Sequence, residues 1–399
     1  YFVNFSVTTV EPEPLIPAGY EIAYDQFQLP IQAEKRIYKA NGPALTTATS
    51  GDELTVSSSK VNFVFNKKSG LVTSYKVDGT EYFKDGFGIQ PNFWRAPNDN
   101  DYGNSTPKRL QVWKQSSKNF RITDATMTAE DKAVSLNVTY LLAAGNLYVV
   151  TYKIYPNGIV NVNAKFTSTD MQPTETEVSE ATRMATFTPG SDAARKAASK
   201  LEVPRIGVRF RLPAQMNNVQ YFGRGPEENY IDRNHGTLVG VYKTTADKMY
   251  FNYVRPQENG HHTDTRWIAL SPDKGNGLAI VADSLIGFNA LRNSIEDFDS
   301  EEALPHPYQW NNFSPEEVAN HDEKAARNVL RRMHHVNDIT PRDFVEVCVD
   351  MKQQGVGGYD SWGARPEPFH QIPANRDYSW GFTLVPVRSA SQANEVAKY

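Results

Sequence analysis

Short runs of alternating apolar and polar residues, separated by turn-forming dipeptides, are the feature that most constrains what this chain can fold into. Val61, Phe63 and Phe65 alternate with the polar residues Lys60 and Asn62. A period of two places the apolar side chains on one face of an extended strand, whereas a helix needs a period near 3.6. The pattern therefore predicts strands that are buried on one face.

A second alternating run lies farther along the chain. Val208, Phe210 and Leu212 alternate with Arg209 and Arg211. The same rule predicts a half-buried strand, with the two arginines on the solvent side.

Turn signals join several of these runs. Asn157-Gly158 separates the run 152–155 from the run 159–162, and Asp78-Gly79 precedes Tyr82 and Phe83. Asn-Gly and Asp-Gly favour the tight turns of β-hairpins. Helix signals are few: Ser314–Glu317 predicts one helix start, and residues 193–199 one short helix. We therefore predict an all-β fold, a large antiparallel β-sandwich.

Composition excludes several classes of function. The 399 residues carry a formal net charge of −4 with both signs interspersed, which gives no electrostatic case for nucleic acid or for an anionic membrane. No apolar run approaches membrane-spanning length. The single cysteine, Cys348, lies in an apolar run and is interpreted as a buried core thiol. One cysteine leaves the cellular compartment undetermined.

The chain is predicted to contain two structural parts and a tail. Residues 1–44 combine short apolar runs with several prolines, and we interpret them as the last strands of a preceding domain plus a linker. Residues 45–388 form the large sandwich, with a surface insertion near 167–200, and residues 389–399 form a C-terminal tail. Because the first residues read as a strand within a sheet, we expect the chain to be part of a longer polypeptide.

Five segments, in this order, carry a resemblance to a known family. They are Ala18–Leu29, Phe93–Gly103 (with Arg-Ala-Pro-Asn-Asp-Asn-Asp), Tyr221–Arg233 (with Gly-Pro-Glu-Glu-Asn-Tyr-Ile-Asp-Arg), Tyr253–Arg266 and Gly355–Trp362. Together they resemble the C-terminal portion of glycoside hydrolase family 2 β-galactosidases, from about residue 16 to residue 386. The main departures are the insertion near 167–200 and the pair His261-His262.

The resemblance implies an architecture and a division of labour. It implies a galactose-mutarotase-like supersandwich, preceded by the end of an immunoglobulin-like domain. It also implies a separate catalytic barrel in the same parent chain, which supplies the catalytic glutamates and binds Mg²⁺, with Na⁺ as a second expected ion. The fragment alone is accordingly expected to be inactive, with no catalytic residue, cofactor or metal site of its own. The expected partners are that barrel, a β-galactoside substrate and further copies of the parent.

Site residues follow from the same resemblance. Trp362 and Asp360 are expected to bind substrate, because an indole on a glycine-rich loop offers a flat platform for a sugar ring. Gly103, Asn104, Ser105 and Thr106 are expected to form a mobile loop at the rim of the active site. Structural roles are expected for the polar motif residues Arg95, Asp99, Asp101, Glu228, Asn229, Tyr230, Asp232 and Arg233.

Two alternatives remain open on the sequence. A stand-alone aldose mutarotase needs a histidine and a carboxylate that converge on the sugar, and His261, His262 and Glu258 are the nearest candidates. A non-catalytic carbohydrate-binding module is the second alternative. Adjacent histidines on a strand point to opposite faces, so His261 and His262 are not expected to share a metal ion. The aglycone, the linkage preference, the oligomeric state and the localisation are left undetermined.

Overall fold

The computed structural model describes residues 1–31, 41–169, 202–299, 335–360 and 363–396. The predicted helix start at Ser314–Glu317, the predicted short helix at 193–199 and most of the predicted insertion lie outside these ranges, as does Trp362. The strands within the described ranges form three sheets. The prediction of an all-β fold built on a large antiparallel sheet is confirmed.

The largest sheet has twelve strands within the described ranges. The strands are β8 (Gln90–Asn92), β9 (Arg121–Ala129), β10 (Val134–Leu141), β11 (Leu147–Ile154), β12 (Val160–Thr167), β13 (Arg205–Pro213), β14 (Asn218–Gly225), β15 (Leu238–Thr245), β16 (His262–Ser271), β17 (Gly277–Leu291), β18 (Phe344–Gln353) and β19 (Tyr378–Val387). The main path of the sheet runs β15-β14-β16-β17-β19-β12-β11-β10-β9, and every pair is antiparallel.

The sheet branches at its longest strand. The first part of β17, Gly277–Ala282, pairs with β19, while Gly287–Leu291 pairs with β18. β18 then pairs with β13, which also pairs with β8. The branch therefore places β13 and β18 deep in the molecule, next to the segments that form the candidate site.

Two smaller sheets precede the large one in the chain. A hairpin consists of β1 (Phe2–Thr8) and β2 (Glu21–Gln28). A five-stranded sheet follows, with strands β3 (Thr46–Ser50), β4 (Glu53–Ser57), β5 (Val61–Asn66), β6 (Leu71–Val77) and β7 (Thr80–Glu81).

Helices are few and short in the described ranges. The α-helices are α1 (Asp99–Gly103), α2 (Thr106–Arg109), α3 (Gln111–Lys118), α4 (Ala246–Met249), α5 (Ile295–Phe298) and α6 (Ala393–Val396), and the 3₁₀ turns are Lys84–Gly86, Val336–Asp338, Pro368–His370 and Ala390–Gln392. None of these helices has the length and apolar character needed to cross a bilayer.

The five-stranded sheet packs face to face on the large sheet, which makes the molecule a sandwich. Phe63 of β5 contacts Tyr152 of β11, with ring centroids 5.6 Å apart, and Phe83 contacts Phe210 of β13 at 5.6 Å. Buried Tyr75 donates its hydroxyl to the carbonyl of Gly158 (2.6 Å). Aromatic side chains thus fill the space between the sheets, and Tyr75 satisfies its hydroxyl on the carbonyl of a turn residue.

The predicted turns and the first alternating run are confirmed. Val61, Phe63 and Phe65 are buried, and the polar residues Lys60 and Asn62 are partly exposed. Gly158 (φ +89°) lies between β11 and β12, and Asp78 and Gly79 (φ +49° and +82°) lie between β6 and β7. Positive φ at both central residues is the geometry that Asp-Gly hairpin turns adopt.

The prediction for the arginines of β13 is wrong at one position. Arg209 is buried (5% exposed), although the alternating pattern placed it on the solvent side. Its guanidinium donates to Glu296 of α5 (2.8 and 2.9 Å) and to Glu346 of β18 (3.3 Å). α5 covers this face of the sheet, so β13 is buried on both faces and the arginine is neutralised by paired carboxylates.

The hairpin β1–β2 touches the large sheet at its edge. The Gln26 side chain accepts from the N–H of Val239 and donates to its carbonyl (both 2.8 Å), and the hydroxyl of Tyr24 donates to Gly236 (2.8 Å). Apolar residues of the hairpin remain largely exposed, among them Phe5 and Ile22. The assignment of residues 1–44 to a preceding domain, and the other predicted boundaries, stay predictions.

Candidate functional site

The site begins at a capped helix start. Asn98 is the N-cap of α1, and its side chain accepts from the N–H of Asp101 (2.7 Å). In return, the Asp101 carboxylate accepts from the N–H of Asn98 (3.2 Å). This capping box satisfies two backbone donors that a helix start otherwise leaves unpaired. The Asn-Asp-Asn-Asp run therefore starts a helix, and the side chains of Asn98 and Asp101 cap it.

Arg95 connects this helix to the glycine loop, which we define as residues 354–360. Arg95 forms a bidentate pair with Asp101 (3.0 and 2.9 Å), and both side chains are buried. The same guanidinium donates to the carbonyls of Gln354 (2.7 Å) and Gly355 (3.0 Å). Planar guanidinium groups suit such multiple, directed contacts.

The opposite side of the glycine loop is held by a second motif. Asp232 accepts from the N–H groups of Val356 (3.0 Å) and Gly357 (2.9 Å). The Asn98 amide donates to the carbonyl of Val356 (3.2 Å). The Arg-Ala-Pro-Asn-Asp-Asn-Asp and Gly-Pro-Glu-Glu-Asn-Tyr-Ile-Asp-Arg segments, far apart in sequence, thus converge on the third motif.

Glycine is required in this loop for steric reasons. A side chain at Gly355 would collide with the Asp232 carboxylate, and one at Gly357 would approach the carbonyl of Ala364 to 2.5 Å. Gly357 and Gly358 also adopt positive φ (+69° and +108°), which disfavours any residue with a Cβ.

The glycine loop and the segment 103–106, which is the predicted rim loop, meet at α1. In the amide orientation that satisfies both partners, Asn100 accepts from the N–H of Gly358 (2.9 Å) and donates to the carbonyl of Asp360 (3.3 Å). The Asp360 carboxylate accepts from the N–H of Ala364 (3.1 Å). Gly363 lies directly against the backbone of Gly103 and Asn104, where a Cβ would not fit.

The structure describes residues on both sides of position 362, including the predicted substrate contact Asp360. Asp360 and Tyr359 are exposed at the tip of the glycine loop. Trp362 itself lies outside the described residues. Its role, like that of Asp360, stays a prediction.

The predicted rim loop is only partly exposed. Asn104 and Thr106 are buried (2% and 3% exposed), and the Asn104 side chain accepts from the N–H of Thr106 and from Arg109. Positive φ falls on Ser105 (+61°), not on Gly103. The mobility of residues 103–106 stays a prediction.

Each remaining residue of the polar motifs has a partner in the structure. Asn229 donates to the carbonyls of Arg224 and Glu227 (3.1 and 3.0 Å), and Arg233 pairs with Glu228 (2.7 Å). Tyr230 is buried and stacks on His261, with ring centroids 5.4 Å apart. Asp99 is exposed and pairs with Arg255 (3.3 Å), which lies 3.8 Å above the Tyr102 ring.

The residues considered for a mutarotase reaction do not line an open cleft. His261 and His262 are 1% and 2% exposed, and Glu258 is 5% exposed. Glu258 pairs with buried Arg205 (3.2 Å), while the His262 ring hydrogen-bonds the carbonyl of Arg224 (3.0 Å). Burial lowers the pKa of both histidines, that of His262 to about 4. Neither histidine is positioned to contact a sugar in solution.

Sequence reasoning missed a buried charge cluster beneath the glycine loop. Arg205 lies between Glu258 and Asp350, whose Oδ1 is 3.1 Å from the arginine Nε. Burial raises the pKa of Asp350 to about 7, and Arg205 only partly opposes this effect. In the sequence, Arg205 and Asp350 appear only as polar residues within the apolar strands β13 and β18. In the described ranges, no three His, Cys, Asp or Glu side chains gather as a metal site would require.

The fold and the site define an all-β protein in which the glycine loop packs against α1 and the segment that follows it. Residues 57–384 match the family model described as "Beta galactosidase small chain", so the chain belongs to that family. It is 32% identical over 372 residues to a "Beta-galactosidase" of Priestia megaterium, covering 93% of this chain and 30% of that protein. A "Beta-galactosidase" of Streptococcus thermophilus is 25% identical over 377 residues, with 93% and 30% covered. The chain thus spans about 30% of the length of these curated relatives.

Among solved structures, the chain is similar to proteins of the mutarotase group. One is a putative mutarotase from Salmonella typhimurium (TM-score 0.39, 9% identity, 90% of this chain and 97% of that one). Another is a galactose mutarotase related enzyme from Lactobacillus acidophilus (TM-score 0.41, 8% identity, 85% and 98% covered).

Proposed function

We propose that this chain is the C-terminal part of a retaining β-galactosidase, in which it completes one wall of the active site and stabilises the catalytic barrel. Retaining glycosidases use two carboxyl groups about 5–5.5 Å apart, one as acid/base and one as nucleophile. The catalytic part of the parent enzyme supplies this pair, together with the Mg²⁺ and Na⁺ sites. The present chain supplies shape and binding contacts.

The observation that carries the proposal is the convergence of three motifs on the glycine loop. Arg95 and Asn98 hold its carbonyls, Asp232 holds its N–H groups, and Asn100 fixes its tip beside Gly103. Buried, charge-assisted contacts of this kind hold a loop in one geometry. The number of contacts that hold this surface loop supports a binding role, because loops held in place by a rigid scaffold commonly carry function.

Trp362 and Asp360 are the proposed contacts with the galactosyl unit. The indole would stack on the apolar face of the sugar ring, and the carboxylate would accept from its hydroxyl groups. Both contacts would form in the ground state and in the transition state.

Substitution of Trp362 in the assembled enzyme tests this proposal. Trp362→Ala should lower kcat/KM by a factor that corresponds to about 1–3 kcal/mol of lost transition-state stabilisation, because the sugar ring loses the aromatic face on which it stacks. Phe369→Ala is the matched control, since Phe369 is an exposed aromatic (71%) nearby in the sequence and should leave kcat/KM unchanged. Equal values for Trp362→Ala and wild type, per folded molecule, would reject the proposed contact.

A further inference from the structure

Asp232 reaches across the site to a loop that lies more than 120 positions later in the chain. Its two carboxylate oxygens accept from two consecutive N–H groups, Val356 at 3.0 Å and Gly357 at 2.9 Å. Successive N–H groups that converge on one anion form a concave nest, and a carboxylate suits it because both oxygens accept. Asp232 therefore acts as a built-in anion for the glycine loop.

We propose that Asp232 is a positioning residue for galactoside binding, which sets the backbone of Val356 and Gly357 and, through Gly358, the place of Asp360 at the site. This inference rests on the proposed function. Asp232 itself need not touch the substrate.

We call the contact between the Asp232 carboxylate and these two N–H groups the clamp, and the geometry of the loop makes it specific. Arg95 and Asn98 hold the carbonyl side at residues 354–356, so the loop remains attached to α1 without Asp232. Among the residues that the structure describes, the Asp232 carboxylate is the acceptor for the N–H groups of Val356 and Gly357. Its loss should therefore rotate these peptides locally and leave the sandwich core intact.

Gly355 leaves room for the clamp because it has no side chain. A Cβ at Gly355 would collide with the Asp232 carboxylate. Gly355→Ala should therefore displace the Asp232 carboxylate from the N–H groups that it accepts from. Because both changes act on the same contact, their effects should not add.

A structural role without positioning is the competing explanation. Asp232 lies in the turn Tyr230–Arg233, so it could merely stabilise that turn. Arg233→Gln is a control for this explanation, because it removes the ion pair with Glu228 from the same turn and leaves the contacts of Asp232 in place.

The experiment compares Asp232→Asn, Gly355→Ala, the double variant and Arg233→Gln in the assembled enzyme. In Asp232→Asn, an amide N–H₂ faces a backbone N–H, so one of the two bonds is lost. We expect faster hydrogen exchange at Val356 and Gly357 and a rise in KM of about tenfold for an aryl β-galactoside, with a smaller change in kcat. Gly355→Ala should give a similar rise, the double variant less than the product, and Arg233→Gln no change in KM.

Each outcome has a distinct meaning. Unchanged exchange at Val356 and Gly357 in Asp232→Asn would overturn the clamp. Faster exchange with unchanged KM and kcat would overturn the positioning role, while Trp362→Ala tests the proposed function separately. A rise in KM in Arg233→Gln equal to that in Asp232→Asn would assign the effect to the turn and not to the clamp.

Discussion

At the scale of single residues, Asp350 shows how a buried carboxylate is accommodated. Its neighbours in register on β13 and β17 are Gly207 and Gly287, and their missing side chains leave space for the carboxylate and for the His261 ring. Arg205 lies 3.1 Å from the carboxylate, and the His261 Nδ1 lies 3.8 Å from it. Two arginines, Arg95 and Arg205, thus face three carboxylates, Asp101, Glu258 and Asp350. A buried excess of one negative charge favours retention of a proton.

This cluster predicts a definite sign for the effect of pH on stability. The pKa of Asp350 is about 7 in the folded chain, above its ordinary unfolded value, so the folded state binds the extra proton. The contribution of Asp350 is therefore present at low pH and falls as pH rises from about 4 to 7, with a slope of at most about 1.4 kcal/mol per pH unit.

Urea unfolding of wild type and Asp350→Asn across this range measures the effect. The isosteric amide does not titrate, so the stability of the variant relative to wild type should increase with pH up to about 7. A difference between the two proteins that stays constant from pH 4 to pH 7 would contradict the assignment.

At the scale of elements, β13 shows where sequence patterns succeed and where they stop. The alternation of Val208, Phe210 and Leu212 correctly predicts a strand, because one face is apolar. It does not predict that Arg209 is buried, because the covering helix α5 and the partner Glu346 are distant in sequence. The alternation of β5 and the hairpin turns could be predicted, since their determinants are local.

Removal of the two arginines of β13 should have unequal effects. Arg209→Ala leaves Glu346 buried (2% exposed) with less compensation, and we expect a loss of about 3–5 kcal/mol in the free energy of unfolding. Arg211 also pairs with Glu346 (2.8 Å), but its side chain is more exposed than that of Arg209. It stacks between Phe87 and Phe344 (4.1 and 4.2 Å), and Arg211→Ala should cost on the order of 1–2 kcal/mol. Denaturant unfolding of both variants measures the difference, and equal losses would show that burial of the Arg209 pair is not decisive.

Convergence of the motifs around the glycine loop is also a property of elements. The sequence indicated a turn from its glycines, but not that Arg95, Asn98 and Asp232 would bind its two sides. These contacts join segments separated by more than 100 residues, and no local pattern reports on them. The one signal in the sequence that points to them is an arginine within a polar motif, because its guanidinium prefers several directed partners.

At the scale of the whole molecule, one aromatic core joins the two sheets of the sandwich. Phe63 is fully buried and contacts both Tyr75 of its own sheet and Tyr152 of the large sheet. We expect Phe63→Ala to destabilise the chain by about 3–5 kcal/mol, because it leaves a cavity between the sheets. Phe369→Ala, at an exposed position, should change the free energy of unfolding by less than about 0.5 kcal/mol. Similar losses for the two variants in thermal unfolding would show that this contact does not hold the sheets together.

The central claim is that this chain shapes a galactoside site whose catalytic groups lie in another part of the enzyme. Turnover of an aryl β-galactoside by the purified 399-residue chain, by the catalytic portion and by their mixture tests it most directly. We predict no turnover by this chain alone, and kcat/KM for the mixture well above that of the catalytic portion. Turnover by this chain that survives rigorous removal of host β-galactosidase would contradict the claim, as would a catalytic portion whose kcat/KM does not change when this chain is added.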